Sequence, residues 1–206
     1  MSATAQDIKS LGSANTFWGV CGFTSTFYSM YMLAPDRALA IGAGIASKVL
    51  AEIKTYLVTL RAEGKTDLLQ QIEKFTQSFG TVNGTDFGKF RVDDYIQLVN
   101  SAVGKSDADI QKEPRYSIAL PPQAVADYVR KIWGKQAEIC MAQGNVRAGS
   151  NGIVGVKKTG GTMQEYGGLC HWMYQHEQKI YSWGKSFDSV KDANADYELC
   201  WLIKIT

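Results

Sequence analysis

The feature that most constrains this chain is a change of hydrophobic period near Gly144. Before it, apolar residues recur at helical spacing; beyond it they alternate, and eight glycines fall between Gly144 and Gly168. The later segments Ile153 to Lys157, Leu169 to Tyr174, Lys179 to Trp183 and Tyr197 to Ile205 read as strands, with Gln175–Gln178 as a hairpin turn. Helices followed by a run of antiparallel strands predict an α+β domain. A chain of 206 residues suits one domain. We divide it into a flexible arm (1–13), a mostly helical half (14–143) and an antiparallel sheet half (144–206).

The helical half is expected to hold five helices. The first runs from about Cys21 to Leu33, with Phe23, Phe27 and Met30/Tyr31 on a buried face. Ala34-Pro35-Asp36 ends it and opens a second, from Asp36 to Arg61. A third carries Leu68, Leu69, Ile72, Phe75 and Phe79, and Asn83-Gly84 marks a turn in the loop after it. A fourth carries Val92, Tyr95, Ile96, Val99 and Val103. Tyr116–Leu120 reads as a short strand, and Pro121-Pro122 opens the fifth helix.

Composition removes several functions. A net charge of +2 does not indicate phosphate or nucleic-acid binding. The most apolar window, Ile41 to Leu60, contains Lys48, Glu52 and Lys54, which argues against a membrane span. Gly149 to Thr159 lacks the spacing of a phosphate-binding loop. Cys170, His171, His176 and Cys200 lack paired metal-ligand spacing, and Cys170 and His171 are neighbours on a strand, so they point to opposite faces. Neither a metal nor an organic cofactor is expected. The first ten residues are polar and carry no secretory signal, so synthesis in a reducing cytosol is expected, with a signal-free route into a target cell left open.

What remains is a thiol and an imidazole. Cys21 stands at a helix start between Gly19 and Gly22, where the helix dipole favours thiolate and glycines leave room for a substrate carbonyl. Of the two histidines, His171 lies in a strand and His176 in the turn; a base that must hold its position is better placed on a strand. With Gln175–Gln178 as the turn, His171 falls directly opposite Ser182 on one face, where the hydroxyl can orient the ring.

Cys21 near the N-terminus and His171 on a late strand resemble the papain-like cysteine peptidase superfamily. Asn15 holds the position, six residues before Cys21, of the glutamine that helps form that family's oxyanion hole. Tyr181-Ser182-Trp183-Gly184 resembles its Asn-Ser-Trp-Gly motif, with tyrosine at the orienting position. The resemblance implies a nucleophile helix packed on an antiparallel sheet. It also implies a cysteine-dependent amide hydrolase, with Cys21 as nucleophile and His171 as acid–base. Asn15 would be the oxyanion donor, and Ser182 or Tyr181 the orienting group, with Asp188 as an alternative carboxylate. Small size points toward bacterial effector or toxin members, among them proteases, glutamine deamidases and peptidoglycan amidases. Their partners would be a protein or peptide substrate, with a cognate immunity protein or a secretion apparatus. The competing expectation is a non-catalytic binding, immunity or accessory protein of a bacterial secretion system.

Overall fold

A computed structural model describes residues 19–34, 44–141 and 151–206. Among them are seven α-helices and a six-stranded sheet, so the domain is α+β. The helices are α1 (Cys21–Leu33), α2 (Ile45–Ala62), α3 (Thr66–Gln77), α4 (Val92–Asn100), α5 (Asp107–Gln111), α6 (Pro122–Trp133) and α7 (Val190–Ala193). A small hairpin, β1 (Thr81–Val82) and β2 (Thr85–Asp86), turns at Asn83 and Gly84, both with positive φ. The sheet contains β3 (Ala137–Met141), β4 (Gly152–Lys158), β5 (Leu169–His176), β6 (Lys179–Ser182), β7 (Lys185–Phe187) and β8 (Tyr197–Ile205). Its order is β3-β8-β4-β5-β6-β7, antiparallel throughout.

Helix α1 lies at the centre. Ten of its thirteen residues are buried, including Thr24, Ser25, Thr26 and Ser29. Three of those hydroxyls satisfy themselves by donating to carbonyls of the same turn, Thr26 to Gly22 at 3.0 Å and Ser29 to Thr26 at 2.6 Å, with Thr24 reaching Val20 at 3.4 Å. One side of α1 meets the sheet through Trp172, Tyr174, Ile153 and Ile203. The other meets α2 and α6, where the rings of Phe23, Tyr56 and Tyr128 stand edge to face 4.8–5.9 Å apart. The opposite face of the sheet buries a second cluster of Val154, Val156, Met173, Ile180 and Leu202, with Val190 of α7 across it.

Several elements differ from the sequence reading. The second helix does not run unbroken from Asp36: Gly44 is left-handed, and α2 begins at Ile45. Its first N–H groups are capped at long range by Asp107, whose carboxylate accepts from Gly44, Ile45 and Ala46 at 3.0–3.1 Å. Tyr116–Leu120 is not a strand of the sheet. Tyr116 closes a 3-10 turn (Pro114–Tyr116), and Ser117–Leu120 is an extended strap held by Ile118 N–H to Gly19 C=O and by Ala119 N–H to Thr76 Oγ1. The sheet also starts earlier than Gly144, because β3 joins it as an edge strand. The arm over 1–13 and the start of the expected second helix lie outside the described residues.

The two glycines flanking Cys21 serve different ends. Gly22 is buried, and a Cβ there would lie 2.9 Å from the Leu120 Cβ, so its bareness lets α1 approach the strap. Gly19 faces outward beside Ser117. Gly22→Ala is therefore expected to destabilise the fold by about 1–3 kcal/mol through overpacking. Urea unfolding checks this; an unchanged midpoint would contradict the packing described.

Candidate active site

The first turn of α1 has no side-chain cap, and the N–H groups of Phe23 and Thr24 both donate to Val20 C=O at 3.0 Å. Cys21 sits there, partly exposed, on the wall of a cavity of about 520 Å³. His171, near the start of β5, lines the same cavity. Two residues 150 positions apart in sequence thus line one cavity, Cys21 from α1 and His171 from β5.

His171 is held on three sides. A hydrogen bond of 2.8 Å joins its Nε2 to Ser182 Oγ, and both residues are buried. The Trp183 indole stacks on the ring, 4.7 Å between centroids and 6° between planes, and Tyr197 stacks at 6.1 Å. Trp183 reaches that position through an unusual backbone. It and Gly184 both have positive φ, +48° and +72°, in the turn between β6 and β7. This is the conformation of a tight hairpin turn, costly for a bulky side chain. The turn is pinned to α1 by Gly184 N–H, which donates to Tyr28 Oη at 3.1 Å. The Ser-Trp-Gly segment thus acts as a unit: Ser182 bonds the imidazole, Trp183 covers it, and Gly184 ties both to α1.

The hairpin register differs from the one read in sequence. His176 pairs with Lys179, so the turn is only Glu177-Gln178, and Tyr174 lies opposite Tyr181. The pairing slides by two residues, which puts Ser182 diagonal to His171 instead of opposite it. A two-residue shift preserves the face, so the hydrogen bond still forms. His176 consequently ends the strand instead of lying in the turn, and its Nδ1 bonds Tyr174 Oη at 3.2 Å.

The other candidates are dispersed. Tyr181 contacts Tyr28 and Tyr174, with centroids 6.3 and 6.2 Å away, and not the imidazole. Asp188 is exposed and pairs with Lys179. Asn15 lies outside the described residues. Cys170 does not point away from His171 as strand alternation predicts. A β-bulge between Val156 and Lys157 lets both side chains line the cavity. Sequence reasoning missed three further lining residues: Ser117, Lys158 and Tyr197. Ser117 Oγ accepts from Gly19 N–H at 2.8 Å. Only the adjacency of Lys158 to the Gly160-Gly161 bend hinted at such a role. Among the described residues no three His, Cys, Asp or Glu side chains gather as a metal site, and no helix is long and apolar enough to cross a membrane.

Burial sets the protonation. Desolvation pushes the Cys21 thiol up to about 11, although the N–H groups of Trp172, Gly22 and Cys21 itself favour the thiolate. The expected helix-terminus activation is present and is outweighed. Desolvation likewise pushes His171 down to about 3. No hydrogen bond joins the thiol to the ring among the described contacts. The resting pair is therefore neutral thiol and neutral imidazole. The chain matches no protein-family model, and it has no significant similarity to a curated protein or a solved structure.

An unfolded histidine protonates near about 6.5, whereas folded His171 resists protonation until about 3. Below about 6.5 the unfolded state takes up a proton that the folded state refuses, so stability falls as pH drops from there. The His171 ring resonances should stay fixed between about pH 8 and pH 5 in NMR. A titration midpoint near 6.5 would show the ring to be solvated.

Proposed function

We propose that this protein is a papain-like cysteine hydrolase that cleaves an amide bond through an acyl-enzyme. The observation that carries the reading is the shared cavity: a thiol on the first turn of a buried helix, and an imidazole clamped by Ser182 and Trp183. With Nε2 engaged by Ser182, Nδ1 is the nitrogen left for the thiol. His171 takes the Cys21 proton as sulfur attacks the carbonyl carbon. The C–S bond forms, and the oxyanion is met by the Cys21 N–H and, in this reading, the Asn15 amide. The imidazolium then protonates the leaving amine, giving a thioester that water hydrolyses with His171 as base. Because the resting pair is neutral, proton transfer accompanies attack instead of preceding it. The acceptor amide belongs to a protein, a glutamine side chain or a cell-wall peptide, and the setting is that of a bacterial effector or toxin delivered to a target cell.

One observation favours a second reading. A protonated thiol and a neutral ring also suit a non-catalytic binding protein of a secretion system, in which Cys21 and His171 are ordinary cavity walls.

The two readings separate on variants. In the hydrolase, Cys21→Ala and His171→Ala each lower turnover of peptide amides by at least about a hundredfold, and His176→Ala leaves it near wild type. Cys21→Ala should change stability by less than about 1 kcal/mol. Mass spectrometry of product, together with urea unfolding, checks both. Equal turnover by wild type and Cys21→Ala overturns the hydrolase.

A further inference from the structure

We propose that Lys158 selects a substrate carrying a carboxylate beside the scissile amide, an inference that rests on the hydrolase reading. Lys158 ends β4 and lies on the rim of the cavity that holds Cys21 and His171. It is the only Lys, Arg, Asp or Glu among the described residues that line this cavity. Burial keeps the ionisable Cys21, His171, Cys170 and Tyr197 side chains neutral near pH 7. At neutral pH the cavity wall therefore carries one positive charge and no negative one. Walls of low dielectric focus the field of such a charge on whatever enters.

Lys158 is also unspent. Its neighbour Lys157 pairs with Glu198 at 3.5 Å, whereas no carboxylate pairs with Lys158 among the described residues. It further borders a second groove of about 340 Å³ lined by Gly160, Gly161, Gly167 and Gly168, with the Lys157–Glu198 pair on its wall. An extended peptide leaving the cavity along this groove passes the Lys158 ammonium beside glycine backbone, and the one carboxylate on the groove wall, Glu198, is offset by Lys157. The geometry fits an acidic peptide with its carboxylate at the junction of the two grooves.

The test uses the intact protein and a charge-matched reagent pair. Cys21 is alkylated near pH 9 with iodoacetate, an anion, and with iodoacetamide, its neutral counterpart, and the modified peptide is quantified by mass spectrometry. The iodoacetate-to-iodoacetamide rate ratio should fall about fivefold in Lys158→Met, the scale of a partly exposed ion pair. It should fall further in Lys158→Glu, and the differences should shrink at high salt. A ratio unchanged in both variants overturns the proposal. Cys21 inert to both reagents overturns it too, since a substrate carboxylate could not enter where these cannot. In parallel, wild type should prefer a peptide amide with glutamate over one with glutamine beside the cleaved bond, and Lys158→Glu should reverse that order. If wild type cleaves neither peptide, the hydrolase reading fails while the alkylation ratio still decides the role of Lys158.

Discussion

The burial of α1 on nearly every side is the constraint from which the rest of the molecule follows. A helix with ten buried residues needs a sheet on one side and helices on the other, and it gets Trp172 and Tyr174 of β5 on one side and Tyr56 and Tyr128 of α2 and α6 on the other. That sandwich leaves only the two ends of the helix near the surface, Met32 and Leu33 at one and the start of its first turn at the other. Cys21 is there, at the edge where the sheet ends and the strap from Ser117 to Leu120 crosses. Fixing the strap matters as much as fixing the strand: Trp172 Nε1–H donates to Leu120 C=O at 2.8 Å, tying the residue next to His171 to the segment that covers Gly22.

The second organising feature is the turn at Trp183-Gly184. A tryptophan at φ +48° is disfavoured, and persists only where its surroundings reward it. Here the reward is the stack on His171 and the anchor from Gly184 to Tyr28. Local strain, an engaged imidazole and a cavity coincide at one place, as they do where a scaffold holds a reacting group in a fixed position. The same burial that fixes the ring also suppresses its charge.

Much of this was legible in the residues, for physical reasons. Period change near Gly144 separates helices from sheet because side-chain alternation differs in the two, and β8 was read at its true bounds, Tyr197–Ile205. His171 and Ser182 were paired correctly in face, though not in register, because parity survives a two-residue slip whereas turn length does not reveal itself. What failed was non-local. The cap that Asp107 gives α2 spans some sixty positions, and nothing near Gly44 announces it. The bulge that turns Cys170 and His171 toward one cavity exists only in the pairing with β4. The thiol's elevation reflects burial, which a sequence does not state, and it overrides the helix dipole, which a sequence does suggest.

The central claim is that Cys21 and His171 act on one carbonyl, and a trapped intermediate tests it most directly. Wild type and His171→Ala are mixed with an activated acyl ester, quenched at intervals and mapped by mass spectrometry. The account predicts an acyl thioester on Cys21, forming at least about a hundredfold more slowly without the imidazole. Acylation elsewhere in the chain, or at the same rate in both proteins, would contradict it.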